Sequence, residues 1–164
     1  MFVNTKMAEK FEPVGIEASE LFRDLPKEQL ISQIKAMSRT ETYPAGTVIF
    51  REDEPADQLW LLRSGRVRLV FTEPAGWAHG EFLITHIKPG QAFGWTTLSG
   101  QEKMMAQAVA VEDCEAFLIP ISVLQQLMND DMEFGYHVMH RMLRVMGKRL
   151  RDTRVQLRWL LVNS

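Results

Sequence analysis

A chain of 164 residues with a net charge of −2, 46% hydrophobic and 24% charged residues, has the composition of an ordinary globular domain and is long enough for one core with an appended helix. Its longest apolar runs, such as Leu59 to Leu62, fall far short of a membrane span, and the charges at Lys6, Glu9, Lys10 and Glu12 do not read as a signal peptide, so a cytoplasmic location and no membrane partner are expected. The single cysteine, Cys114, excludes an internal disulfide framework and any site built from several thiolates.

Residues 1–15 lack periodicity and contain Pro13 and Gly15, which reads as a loose arm. Two short helices are predicted next, Glu17 to Leu25 and Lys27 to Met37, separated by Pro26 and with Leu21, Phe22, Leu25, Leu30, Ile31 and Ile34 on their apolar side. The period then becomes alternating. Strands are predicted at Thr47 to Phe50, Gln58 to Leu62, Arg66 to Thr72, Phe82 to Ile87, Ala92 to Trp95, Met105 to Val111 and Cys114 to Ile119. Between them, turns at Tyr43 to Gly46, Arg63 to Arg66, Glu73 to Gly76 and Lys88 to Gln91 supply the Gly and Pro that tight reversals need. So many short strands imply a mainly β fold, a compact barrel or sandwich with flanking helices.

After Pro120 the helical period returns, first in Ser122 to Met128 and then, past a cap at Asn129 to Asp131, to the end of the chain. Met139, Met142, Met146, Leu150, Thr153, Leu157 and Leu160 recur at spacings of three and four, the seam of a two-stranded coiled coil, so a homodimer through this helix is expected. The stretch 131–164 holds seven Lys and Arg against three acidic residues, which suits the solvated face of such a helix; the chain as a whole is not basic enough to be a nucleic-acid binder by charge. The domain layout expected is an arm over 1–15, a β domain over 16–130 and a dimerisation helix over 131–164. No catalytic constellation is present: there is no HExxH metal motif and no nucleophile elbow, and Glu52 and Glu54 lie in a turn. The chain does not read as an enzyme.

Three runs carry a family resemblance. Phe50 to Asp57 followed by Leu59 to Leu69, with its Ser64-Gly65 turn, Ile87-Lys88-Pro89-Gly90-Gln91-Ala92-Phe93-Gly94, and Val111 to Pro120 resemble the cyclic-nucleotide-binding domain of catabolite-activator-like regulators. The resemblance covers about residues 17–162. It implies an eight-stranded β-roll of jelly-roll type, N-terminal helices and a long C-terminal helix, in a regulatory, ligand-sensing protein. In the transcription-factor members a helix-turn-helix domain follows the long helix; the sequence stops at Asn163-Ser164, where a hinge would begin. The expectation is a stand-alone sensor with a protein partner and no direct DNA binding. A regulator whose DNA-binding domain is absent from this chain is the alternative.

The resemblance also locates a phosphate-binding cassette at Phe93, Gly94, Trp95, Thr96, Thr97, Leu98, Lys103, Met104, Met105 and Ala106, with Thr153 as the helix residue facing the base. Family members meet the cyclic phosphate with a helix N-terminus and an arginine, and the ribose with a glutamate. Here Trp95 stands at the glutamate position, and counting back from Asp113-Cys114 puts Met104 at the arginine position and Met105 at the hydroxyl that follows. An unpaired phosphate charge costs several kcal/mol and a lost ribose acceptor about 1–3 kcal/mol, against about −8 kcal/mol for a micromolar site. The cassette is therefore expected to be degenerate, with cyclic nucleotide binding lost unless Lys103 supplies the charge. Two outcomes stay open: a pocket filled by its own side chains, or a different, less polar small-molecule effector held by Trp95, Leu98 and the methionines. Some relatives sense gases with haem, for which His79, His86, His137, His140 and Cys114 are the candidate ligands; no haem motif surrounds any of them, and no cofactor is expected.

Overall fold

The computed structural model describes residues 12–72 and 80–163; most of the expected arm, the turn at Glu73 to Gly76 and His79 lie outside them. Eight strands form two antiparallel four-stranded sheets. They are β1 (Arg39–Tyr43), β2 (Val48–Phe50), β3 (Gln58–Ser64), β4 (Val67–Thr72), β5 (Glu81–Ile87), β6 (Ala92–Phe93), β7 (Gln107–Ala110) and β8 (Cys114–Pro120). One sheet runs β1-β8-β3-β6 and the other β2-β7-β4-β5, so nearly every neighbour is distant in sequence, as in a jelly roll. Three helices flank the roll: α1 (Glu28–Met37), α2 (Ile121–Asp130) and α3 (Met132–Asn163).

The apolar run Leu59 to Leu62 shows how sequence becomes architecture here. Successive strand side chains point to opposite faces. Trp60 and Leu62 enter a core inside the roll with Phe50, Val67, Leu69, Ile87, Phe93, Met104 and Leu118. Leu59 and Leu61 face a second core, where the helices pack through Phe22, Ile31, Ile34, Leu124, Phe134, Val138 and Met142. A strand buried on both faces loses the polar alternation that a one-faced strand keeps. β8 is split the same way, Ala116 and Leu118 inward and Ile119 toward the helices.

Two elements differ from the sequence expectation. β1 was not predicted, because Arg-Thr-Glu-Thr-Tyr has no apolar face; it is an edge strand held by its backbone ladder to β8, from Arg39 opposite Leu118 to Tyr43 opposite Cys114. The first predicted helix is a 3-10 turn at Ile16–Ala18 followed by irregular turns. There the Ser19 hydroxyl donates to the Ile16 carbonyl at 2.7 Å, and Asp24 has a positive φ of 65°, which a continuing helix does not allow.

α3 starts at Asp131, whose carboxylate accepts the Phe134 N–H at 3.0 Å, an N-cap. The same carboxylate accepts from Lys27 at 2.7 Å, and the Lys27 ammonium holds it below its ordinary pKa. This ties α1 to the junction of α2 and α3. Gly135 lets the two helices close, since a Cβ there would come within 2.7 Å of the Met128 carbonyl oxygen. At 32 residues α3 is about 48 Å long; its first half packs into the helical core, and the second half keeps contact with its own chain along β5.

Candidate effector site and pairing helix

The cassette segment leaves β6 at Gly94, whose φ is +73° and where a Cβ would run into the Trp60 ring. A 3-10 turn follows at Thr96–Ser99 and ends at Gly100 with φ +84°. The chain then zips onto the turn after β2. Ala56 N–H donates to Glu102 O at 3.0 Å, Met104 N–H to Glu54 O at 2.8 Å and Asp53 N–H to Met104 O at 2.9 Å, beside an isolated bridge between Pro55 and Lys103.

Within this frame the expected site residues separate into three groups. Met104 is 2% exposed and belongs to the core inside the roll, and Phe93 is fully buried in the same core. Trp95 and Leu98 turn the other way and pack on the helical core; Thr96 is buried, and the Thr97 hydroxyl is enclosed without a hydrogen-bond partner among the described residues. Lys103 and Met105 are exposed and Ala106 is half-buried. Lys103, Met104 and Met105 line an open hollow of about 600 Å³ with Glu52, Asp53 and Glu102. Three carboxylates against one ammonium make that hollow unfavourable for a phosphate.

Thr153 is not with them. It lines a largely apolar groove of about 320 Å³ between α3 and the β4–β5 hairpin, with Phe71, Phe82, Leu83, Ile84, Leu157 and Leu160. Its hydroxyl donates to the Arg149 carbonyl at 2.9 Å, and one residue back Asp152 accepts from the Thr85 hydroxyl at 3.0 Å, which fixes α3 against β5.

α3 has two apolar sides. Phe134, Val138, Met142 and Val145 are buried against their own chain. On the open side, Tyr136, Met139, Leu143, Met146, Leu150 and Leu157 are exposed and Thr153 and Leu160 half-exposed, and these eight alternate strictly in steps of three and four. Met142, expected in the seam, is only 2% exposed, whereas Leu143, which the sequence reading passed over, is 68% exposed. Two apolar neighbours one residue apart cannot be assigned to faces by spacing alone; the roll covers one of them and leaves the other.

Sequence reasoning also passed over Arg149, which looked like part of a solvated basic face. It is 7% exposed. Its Nη2 donates to the Ala92 carbonyl at 3.3 Å, and Glu20 accepts the Ala92 N–H at 2.7 Å. Burial pushes the Glu20 carboxyl up and the Arg149 guanidinium down in pKa. No local pattern could have found this residue, since its burial comes from β6 and the first turns of the chain meeting α3.

The candidate haem ligands do not converge. His86 and His140 are exposed and His137 is half-buried, while Cys114 lies in the roll with its thiol donating to the Arg66 and Glu112 carbonyls. Among the described residues no group of three or more His, Cys, Asp or Glu could hold a metal ion, and no helix is long and apolar enough to cross a membrane.

The model of the cyclic nucleotide-binding domain matches residues 40–131. The chain is 34% identical over 100 residues to the cyclic AMP receptor protein of Thermus thermophilus, an alignment covering 61% of this chain and 44% of that protein. Among solved structures, the catabolite activator protein of Thermus thermophilus matches with a TM-score of 0.68 and 29% identity over 87% of this chain and 63% of that one. The c-di-GMP responsive global regulator CLP of Xanthomonas campestris matches with a TM-score of 0.67 and 25% identity over 76% and 59%. The chain spans less than half the length of the curated relatives it matches.

Proposed function

Since the chain belongs to the cyclic nucleotide-binding domain family, we propose that it is a non-catalytic cytoplasmic regulatory domain that signals as a homodimer through α3 and through a protein partner, with a cassette that no longer holds cyclic nucleotide in the family's manner. It is organised as an arm over 1–15, a sensor roll over 16–130 and a pairing helix over 131–164. Met104 carries the reading. Where the resemblance implies the phosphate's arginine, a thioether is sealed in the core of the roll, and a phosphate there has no pairing charge. Trp95 offers one N–H donor where a carboxylate would accept the ribose hydroxyl, and Lys103 lines a hollow shared with Glu52, Asp53 and Glu102.

Signalling then consists of a shift in how the cassette segment and α3 pack, biased by whatever binds one arrangement better than the other. The Xanthomonas relative responds to c-di-GMP, a ligand other than cyclic AMP, which supports treating effector identity as variable on this fold. Calorimetric titration with cyclic AMP, cyclic GMP and c-di-GMP tests the cassette. No saturable heat is expected with the two mononucleotides, and micromolar binding by the unmodified chain would overturn the reading.

A second reading is favoured by one observation, the short span relative to the curated regulators: the chain is the sensor half of a DNA-binding regulator. Immunoblotting the native product decides it. A band near 19 kDa, matching the 18.9 kDa of this chain, supports the stand-alone sensor, and a substantially larger one supports the regulator.

A further inference from the structure

We infer that α3 carries a docking face for an acidic amphipathic helix of a partner protein, running from Arg144 to Val162 and separate from the dimer seam. This rests on the reading of the chain as a regulator that acts through a protein partner, and it names the chemistry of that partner. Arg144, Lys148, Arg151, Val155, Arg158 and Val162 are all exposed, and at about 100° per residue they lie within an arc of about 80°. The open seam through Leu143, Leu150 and Leu157 runs to one side of that arc, and the buried line through Met142, Val145 and Arg149 to the other. The helix thus has a third side, which neither its own roll nor a second α3 covers.

A helix surface that only has to face water interleaves both signs, so that a carboxylate three or four residues away offsets each cation. On this side like charges follow one another at those spacings, which destabilises the helix unless something acidic lies against it. α3 holds seven Lys and Arg against two carboxylates, Glu133 and Asp152. Glu133 pairs with Lys27 at the start of the helix, and Asp152 accepts from the Thr85 hydroxyl of β5. Among the described residues Arg144, Lys148, Arg151 and Arg158 form no ion pair, whereas Arg141, nearer the roll, is paired with Asp24.

Two observations favour an acidic protein over a nucleic acid. Val155 and Val162, 59% and 82% exposed, stand in line with the cations, and apolar side chains suit a protein interface better than a phosphate backbone. Outside α3 the charge reverses, with 19 Asp and Glu against 12 Lys and Arg, which repels a long polyanion but not a short segment that meets α3 alone. The six positions alternate in steps of four and three, so the line stays straight along the axis for about 27 Å. That is the spacing at which a second helix presents its own side chains. The same helix carries the seam and packs on the roll, so a change in how α3 sits is passed directly to whatever docks on its third side.

Fluorescence anisotropy on the full chain tests the assignment. The probe is a labelled helical peptide of about five turns, with Glu and Leu placed along one such line to match the cations and the valines; the controls are a scrambled peptide of the same composition and duplex DNA. The patterned peptide should bind saturably, at least about tenfold tighter than the scrambled one, and more weakly as salt is raised. Arg144→Glu/Arg151→Glu/Arg158→Glu should weaken it by at least about tenfold again while keeping the dimer mass and a cooperative melt, because all three side chains are exposed. A patterned peptide with Lys in place of Glu should regain binding to that variant. Equal binding of the scrambled peptide, tighter binding of DNA, or loss of the dimer in the charge-reversed variant would each overturn the assignment. Sedimentation of the unmodified chain reads the proposed function separately: a monomer would overturn the homodimer, whatever the peptide does.

Discussion

Met142 and Leu143 are adjacent in sequence, and charging each of them should have opposite consequences. Leu143 and Leu150 are 68% and 65% exposed, so Leu143→Glu/Leu150→Glu adds charge to a surface and should leave the melting of one protomer nearly unchanged. Each leucine that a partner helix fully covers contributes about 1.5–3 kcal/mol, and a homodimer loses both from both helices while gaining four desolvated carboxylates. With a tenfold change in affinity for every 1.4 kcal/mol, association should weaken by about four orders of magnitude or more. Met142→Glu acts inside the helical core, where the residue is 2% exposed; losing a buried Met side chain costs about 2–5 kcal/mol and the buried carboxylate adds more. Sedimentation equilibrium reads the mass and urea denaturation the stability of both variants. A dimer that survives the Leu143/Leu150 change, or a Met142→Glu protein that stays folded and merely becomes monomeric, would refute the division of α3 into two sides.

Gly94→Ala should destabilise the fold by about 1–3 kcal/mol in urea denaturation, through overpacking against Trp60 and strain at positive φ; a neutral result would mean that the cassette hinge can relax. Acid sensitivity should begin near neutrality. Burial, with Arg141 nearby, lowers the His137 pKa, and burial with Arg66, Arg68 and Lys88 lowers that of His86. A group depressed in the folded state contributes stability that is complete above its unfolded value of 6.5 and is lost as the pH falls through its folded value. The melting temperature should therefore drop below about pH 6.5, and His137→Gln should flatten that drop; identical profiles would rule His137 out. Cys114 is buried and its thiol pKa is raised by that burial, so a thiol reagent should label it only at the rate of unfolding. Rapid labelling of the native chain would mean that the β4 end of the roll opens.

Much of the fold was legible because local chemistry and tertiary context agree. Glycines at Gly65 and Gly90 supply turns with φ of +87° and +86°, the alternation in β4 and β8 matches a face toward the roll, and the helical period after Met132 is carried by the local sequence. The family runs then ordered the strands, which no periodicity could have done. Where the reading fell short, the deciding feature was a non-local contact or a backbone angle that periodicity does not register. β1 has no apolar face and exists because β8 offers its edge. The segment after Ile16 is not a regular helix because the Ser19 hydroxyl takes the Ile16 carbonyl and Asp24 turns the chain at positive φ.

The cassette shows the same boundary more sharply. That Trp95 and Met104 are not a carboxylate and a guanidinium is a property of the sequence alone, and the proposal that the cassette no longer holds cyclic nucleotide in the family's manner starts from it. The sequence could not say that Met104 fills the roll, that Trp95 turns to the helices or that Thr153 faces β5, because each depends on which of two packed layers a side chain enters. Arg149 is the clearest case. Its position on a basic helix suggests a solvated cation, and only the arrival of β6 and the turn around Glu20 against α3 removes it from water and leaves its charge unpaired.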